Sequence, residues 1–206
     1  MNTINMDKST ICETGYLELI IGPMYAGKTS EILEIYKKCV FCNITVTIIN
    51  HTIDKRYHDT MLSSHDKIMA PCLQASNLSD IWSNDDSTNI VRNAKVILIN
   101  EGQFFPDLYE VVVDMLNHNK KVYICGLDGD FERKKFGNIL DLIPLCDKVR
   151  KLTSLCSTCK DGTLAIFSMR LTKEKEQTVV GSNNYIPVCR KCYAANSYIN
   201  NNISKL

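Results

Sequence analysis

The sequence predicts an α/β protein: a parallel sheet flanked by helices, followed by a small cysteine-rich module. Three observations carry this. Short β-branched runs alternate with amphipathic helical stretches, a glycine-rich loop joins the first such pair, and two close cysteine pairs appear only after the alternation ends. Strands alternating with helices need crossover connections, so the sheet is expected to be parallel, covered on both faces and wound with the usual right hand. With 206 residues, 45% of them hydrophobic, the chain suffices for one sizeable core and a small appendage.

Residues 16–21 (YLELII) form an apolar run that stops at Gly22, as a buried parallel strand reads. After the glycine loop, residues 29–41 carry Ile32, Leu33, Tyr36, Val40 and Phe41 at helical spacing, with charges between them. Residues 46–49, 96–99 and 121–125 are further strands, and Leu108, Val111, Val112, Met115 and Leu116 trace one helix face between the last two. Polar residues 1–14 and the Asn-rich 194–206 read as tails. The nucleotide-binding sheet domain is expected over 15–148 and the cysteine module over 149–193, where the composition shifts.

Twenty-four Lys+Arg against 23 Asp+Glu leave a formal charge of +1, too little field to draw the protein onto nucleic acid or an anionic membrane. No apolar stretch approaches the ~20 residues that span a bilayer, and the N-terminus lacks the pattern of a signal peptide. A soluble, cytoplasmic protein with a small-molecule partner, and neither nucleic acid nor membrane, is therefore expected.

Gly22, Pro23, Met24, Tyr25, Ala26, Gly27, Lys28 and Thr29 match G-x-x-x-x-G-K-[ST] without a mismatch, the pattern of a phosphate loop, and a P-loop (RecA-like) sheet is the fold expected around it. The glycines let backbone N–H groups turn inward as an anion nest, and the following helix adds the positive end of its dipole. Lys28 is expected on the β- and γ-phosphates of a nucleoside triphosphate, and Thr29 on Mg²⁺. A phosphate-loop enzyme also needs an acid at the tip of a neighbouring strand, and Glu101 follows the 96–99 run. Phe104 and Phe105 after it either wall a slot for a planar base or belong to the core.

Cys156-x-x-Cys159 and Cys189-x-x-Cys192 have zinc-ribbon spacing. Four protein thiolates leave no open coordination position, so the Zn²⁺ they would hold is structural. Cys39-x-x-Cys42 has the same spacing but ends a helix, and reads as buried or half-buried thiols, with a redox pair as its alternative. Cys12, Cys72, Cys125 and Cys146 are isolated.

The ordered set of motifs from residue 16 to residue 193 resembles the type II, or cellular-type, thymidine kinases. GPMYAGKT is similar to the family's phosphate loop, DKRY (54–57) to its D-x-R-Y, SSHD (63–66) to its S-x-H, NEGQFF (100–105) to its D-E-G-Q-F-F, LDGDFERKKFG (127–137) to its L-D-G-x-F-x-R-x-x-F-G, and EKEQTVVG followed by Tyr185 to its substrate-covering lasso loop. The resemblance implies transfer of the γ-phosphoryl group of ATP to the 5′-hydroxyl of thymidine or deoxyuridine in nucleotide salvage, with Glu101 as general base. It places Asp54, Arg56, Asn100 and Gln103 with the phosphates and Mg²⁺, and Arg133 and Arg170 in matching segments. Phe104, Leu127, Phe131 and Tyr185 would stand around the nucleoside, and the backbone of Gln177, Thr178, Val179, Val180 and Gly181 at the edge of the base. A homotetramer with feedback by thymidine triphosphate is also implied. Asn100 departs from the pattern, standing where the family has Asp; an amide brings no charge, so a higher Mg²⁺ requirement is expected. Two rival readings remain: a zinc-ribbon P-loop ATPase acting on nucleic acid, against which the mixed charges of residues 160–188 speak, and a nucleotide-binding regulator without turnover.

Overall fold

The computed structural model describes residues 14–54, 61–63, 69–83, 88–179, 181 and 184–195. Strand β1 (Tyr16–Ile21) enters the phosphate loop, and helix α1 (Lys28–Phe41) leaves it towards β2 (Val46–His51). A hairpin of β3 (Met61–Ser63) and β4 (Met69–Pro71) follows, then β5 (Leu73–Ala75), the short helices α2 (Ser79–Trp82) and α3 (Ile90–Asn93), and β6 (Val96–Asn100). Helix α4 (Leu108–Asn117) leads to β7 (Lys121–Gly126), and a 3-10 stretch (Ile139–Leu145) leads to β8 (Lys148–Lys151). The sheet order is β5-β2-β6-β7-β1-β8, with every neighbouring pair parallel.

Alternation along the strands divides the core between the two faces of this sheet. Leu17, Leu19, Ile97, Ile99, Val122 and Ile124 pack towards α4 and the 3-10 stretch, with Trp82 and Val91. Ile20, Ile48, Leu98 and Cys125 pack towards α1 through Ile32, Leu33 and Cys39. Covering both faces is why β6 is buried along its whole length and reads as an uninterrupted apolar run.

Two departures from the sequence reading have physical causes. Val40 and Phe41, expected on the buried face of α1, are 52% and 88% exposed, because in the last turn only Cys39, two turns on from Ile32, still faces the sheet. Cys42 is exposed. The boundary expected at residue 149 falls inside β8, which pairs with β1 and so belongs to the sheet. Its sequence, KVRK, carries no apolar alternation; Glu18, buried in β1, holds it instead, accepting from Arg150 Nε at 2.6 Å and Tyr16 Oη at 2.9 Å. Arg150 also donates to Glu31 in the first turn of α1 at 2.8 Å, tying the sheet edge to the helix behind the phosphate loop.

Beyond β8 the chain builds two antiparallel ribbons, β9 (Ser154–Leu155) with β10 (Leu164–Ala165) and β11 (Phe167–Arg170) with β12 (Tyr185–Val188). They enclose a small cluster of Cys156, Ala165, Met169, Val188 and Cys189. Met24 N–H donates to Ser168 Oγ at 2.9 Å and Tyr193 Oη to the Phe131 carbonyl at 2.6 Å, which join the module to the sheet domain.

Candidate active site and metal centre

The phosphate loop lies where β1 gives way to α1, at the C-terminal edge of the parallel strands. Gly22 has φ 147°, and a Cβ there would stand 2.5 Å from the Leu152 carbonyl oxygen, so only glycine fits the first position. Tyr25 and Gly27 also take positive φ, turning the backbone around the anion nest. Lys28 is buried, and its Nζ donates to the carbonyls of Gly22 (3.1 Å) and Pro23 (2.7 Å), bridging the loop it closes.

Glu101 follows β6 in the left-handed region, φ 55° and ψ 42°. That conformation costs a non-glycine residue about 1–2 kcal/mol and aims the side chain off the strand end. Gln103 holds it there: its Nε2 donates to Glu101 Oε2 at 2.7 Å, while its Oε1 accepts Leu127 N–H at 3.0 Å. At Gly126 a Cβ would meet that Oε1 at 2.4 Å, so the strand end is shaped around the glutamine.

A cavity of about 290 Å³ joins these parts. Met24, Tyr25, Ala26, Gly27, Lys28 and Thr29 of the phosphate loop, Asp54 and Glu101, and Phe104, Leu127, Phe131 and Tyr185 all line it. Gln177, Thr178, Val179 and Gly181 line it as well. Phe104 lines the cavity while Phe105, 1% exposed, belongs to the core, which resolves the two readings of that pair. Arg56 and Val180 lie outside the described residues, as do both expected tails apart from a few residues, Cys12, and His65 of the S-x-H segment.

Four of the expected site residues stand outside the cavity lining. Gly22 and Pro23 shape the loop from behind, and Gln103 braces Glu101. Asn100 is 1% exposed, with both ends of its amide engaged inside the sheet: Cys125 Sγ donates to its Oδ1 at 2.9 Å and its Nδ2 donates to Asn50 Oδ1 at 2.7 Å. Asn50 Nδ2 in turn lies 3.5 Å from Asp54 Oδ2, so Asn100 reaches the site through Asn50.

The cavity also includes residues to which the sequence reading gave no role: Ser30, Ile53 and Ser168, and Gly129, Asp130 and Phe136 within the 127–137 motif. Arg170, 8% exposed, acts from behind the wall. Its guanidinium stacks 3.7 Å above the Phe131 ring, donates to Tyr185 Oη, and bonds the carbonyls of Glu174 (2.9 Å), Glu176 (2.6 Å) and Gln177 (3.0 Å). The Gln177 carbonyl, expected at the edge of a base, therefore already has a donor. An arginine at a loop stem is the one sequence signal for this hub, and its five-donor fork explains how one residue gathers so many carbonyls.

Beside Glu101, His51 packs against Phe104 and Phe105, with ring centroids 5.6 and 4.8 Å away. Burial lowers its pKa, against the opposing pull of the Ser76 backbone and the Glu101 charge. Ile53 N–H donates to its Nδ1 at 3.1 Å, which suits the neutral ring.

The Sγ atoms of Cys156, Cys159, Cys189 and Cys192 all lie within 4.8 Å of one another. Two of the separations are 3.8 Å (159–189) and 3.4 Å (159–192), close to the ~3.8 Å that a tetrahedral site with Zn–S bonds of about 2.3 Å requires. Burial opposes ionisation of Cys156, yet N–H groups of Cys159, Cys189 and Thr158 bring its pKa down to about 6, while hydrogen bonding with the surrounding thiols, Cys192 first, drives Cys159 up to about 12. Four thiolates so close repel one another unless a cation shares them, so the donor set fits a structural metal ion.

The family model "Thymidine kinase" matches residues 15–193. The thymidine kinase of Vaccinia virus (strain Western Reserve) is 41% identical over 180 residues, covering 87% of this chain and 97% of that one. The thymidine kinases of Monkeypox virus and of Yaba monkey tumor virus (strain VR587) are 40% and 39% identical, each over 87% of this chain and over 97% and 95% of their own lengths. With a phosphate loop, a strand-tip glutamate and an aromatic-walled cavity in one place, and this similarity along nearly the whole sequence, the chain belongs to the thymidine kinase family.

Proposed function

We infer that the protein transfers the γ-phosphoryl group of ATP to the 5′-hydroxyl of thymidine, with deoxyuridine as the nearest alternative acceptor. The carrying observation is that one cavity is lined together by the phosphate loop, Glu101 and the aromatic residues Phe104, Phe131 and Tyr185. Phosphoryl transfer passes through a loose transition state, so the protein contributes position and charge more than strong base chemistry.

In this reading the loop at residues 22–29 cradles the phosphates, and Lys28 exchanges its carbonyl partners for them. Thr29 and Asp54 would hold Mg²⁺, whose charge offsets that of the phosphates. Arg56 adds a further positive charge. Glu101, held by Gln103, takes the proton of the 5′-hydroxyl. Phe131, with Arg170 on one face of its ring, offers the other face to thymine. Tyr185 Oη accepts from Arg170 and keeps its own proton for the sugar. Residues 171–179 and Gly181, carried on the β11–β12 stem, cover the nucleoside and exclude water that would otherwise take the phosphoryl group. Zn²⁺ at the four cysteines fixes the base of that stem. The part of the chain beyond β8, up to residue 193, then acts as the substrate-covering module on a nucleotide-binding domain. A tetramer inhibited by thymidine triphosphate, acting in the cytoplasm, belongs to the same reading; sedimentation and titration of the rate with that nucleotide test its first two parts.

The deciding experiment is a nucleoside panel assayed for ADP release with ATP and Mg²⁺. Release is expected with thymidine and deoxyuridine, and its absence with thymidine defeats the reading. Glu101→Gln should lower kcat by about 10²–10⁴-fold, and near-normal turnover would remove the base role.

A further inference from the structure

We propose that Asp130 and Gln177 form a latch that holds the substrate-covering segment closed over the cavity. Asp130 occupies the open position of the L-D-G-x-F pattern, so the family resemblance assigns it nothing. It is nonetheless 7% exposed and lines the cavity. Its Oδ1 accepts the backbone N–H groups of Glu132 and Lys134, both at 2.9 Å, within a loop that the Gly129–Lys135 bridge closes. Those two bonds fix the carboxylate and leave Oδ2 facing the segment above. Gln177 Nε2 meets that oxygen at 2.7 Å and also reaches the Lys135 carbonyl at 3.4 Å.

Gln177 is thereby held twice, its main chain by Arg170 and its side chain by Asp130. The Arg170 bonds anchor the segment to its own stem, whereas the Asp130 bond crosses to the loop after β7, on the sheet domain. The second, with the longer contact to the Lys135 carbonyl, resists opening of the segment away from the sheet domain. The acceptor is a carboxylate that is itself buried, although Gln177 is exposed, and a charged acceptor makes this the stronger kind of hydrogen bond. Asp130 and Gln177 are positioning residues, acting on the nucleoside through the cover. The role rests on residues 171–179 covering a nucleoside.

Trypsin reads the latch directly, because Lys173 and Lys175 lie in exposed positions of this segment. Gln177→Glu sets two carboxylates against each other. In the full-length chain without nucleoside, cleavage after Lys173 and Lys175 should accelerate about tenfold, with the KM for thymidine rising more than kcat falls. Combining it with Asp130→Asn should restore both, since the asparagine Oδ1 keeps the Glu132 and Lys134 donors while Nδ2 donates to the new carboxylate. Loss of a merely structural residue would not be rescued by its partner's change. Unchanged cleavage in Gln177→Glu, or a double variant no better than the single one, overturns the latch. Faster cleavage with an unmoved thymidine KM overturns its positioning role. If wild type releases no ADP with thymidine, the nucleoside reading fails, while the protease comparison still decides whether the latch exists.

Discussion

At the residue scale, the site depends on side chains whose work is done out of sight of the ligand. The amide of Asn100 is committed to Cys125 and Asn50. Asn100→Asp would replace its donor with an acceptor and should cost about 1–3 kcal/mol in urea unfolding. If residue 100 sets the magnesium requirement through Asn50 and Asp54, the same variant should reach half-maximal rate at lower Mg²⁺, and an unaltered dependence would confine Asn100 to the sheet. His51 makes a separate, pH-dependent contribution. Its pKa in the folded chain lies below the ordinary 6.5, so the neutral ring is favoured. The associated stability is complete above about pH 6.5 and is lost as pH falls through the folded value, where the unfolded chain binds the proton first. Comparing wild type with His51→Gln by urea unfolding from pH 7.5 to about 5.5, the difference should shrink towards acid; a constant difference would exclude the effect.

At the scale of elements, the least legible strand is β8. KVRK lacks the periodicity that revealed β1 and β6, and its place comes from one buried glutamate on a strand far away in sequence. Removing the guanidinium with Arg150→Met leaves Glu18 with Tyr16 and, at 3.8 Å, Lys148. Because Arg150 is 29% exposed, the expected loss is modest, about 1–3 kcal/mol in urea unfolding, with faster amide exchange along β8. Unchanged stability would mean that the parallel ladder with β1 suffices by itself. By contrast α1 was legible as a helix, while the burial of its last turn was not: hydrophobic spacing gives a period, and where the sheet ends beneath the helix is a tertiary fact.

On the scale of the whole molecule, a sheet domain supplies the phosphate site and a cysteine module supplies its cover. The module's apolar cluster is small, centred on Ala165, Met169 and Val188, too little to hold two ribbons without a cross-link. One zinc per chain by elemental analysis is expected, and chelation or Cys159→Ser should lower Tm and open residues 171–179 to trypsin; a chelated protein with unaltered Tm and cleavage would contradict a structural metal. What the sequence by itself determined was the phosphate loop, Glu101 at its strand tip, the alternation behind the parallel sheet, and the four thiols. All of these are written in contiguous residues or fixed spacing, and local geometry follows from them. Only the tertiary structure decided that Gln103 braces Glu101, that Asn100 faces inward, that Arg170 gathers the cover, and that Asp130 meets Gln177. The bonds of Asn100 and Asp130 join residues brought near by folding, and a donor in one segment leaves no periodicity to mark its acceptor in another; those of Gln103 to Glu101 and of Arg170 to the cover are local in sequence, but an irregular loop has no repeat from which to read them.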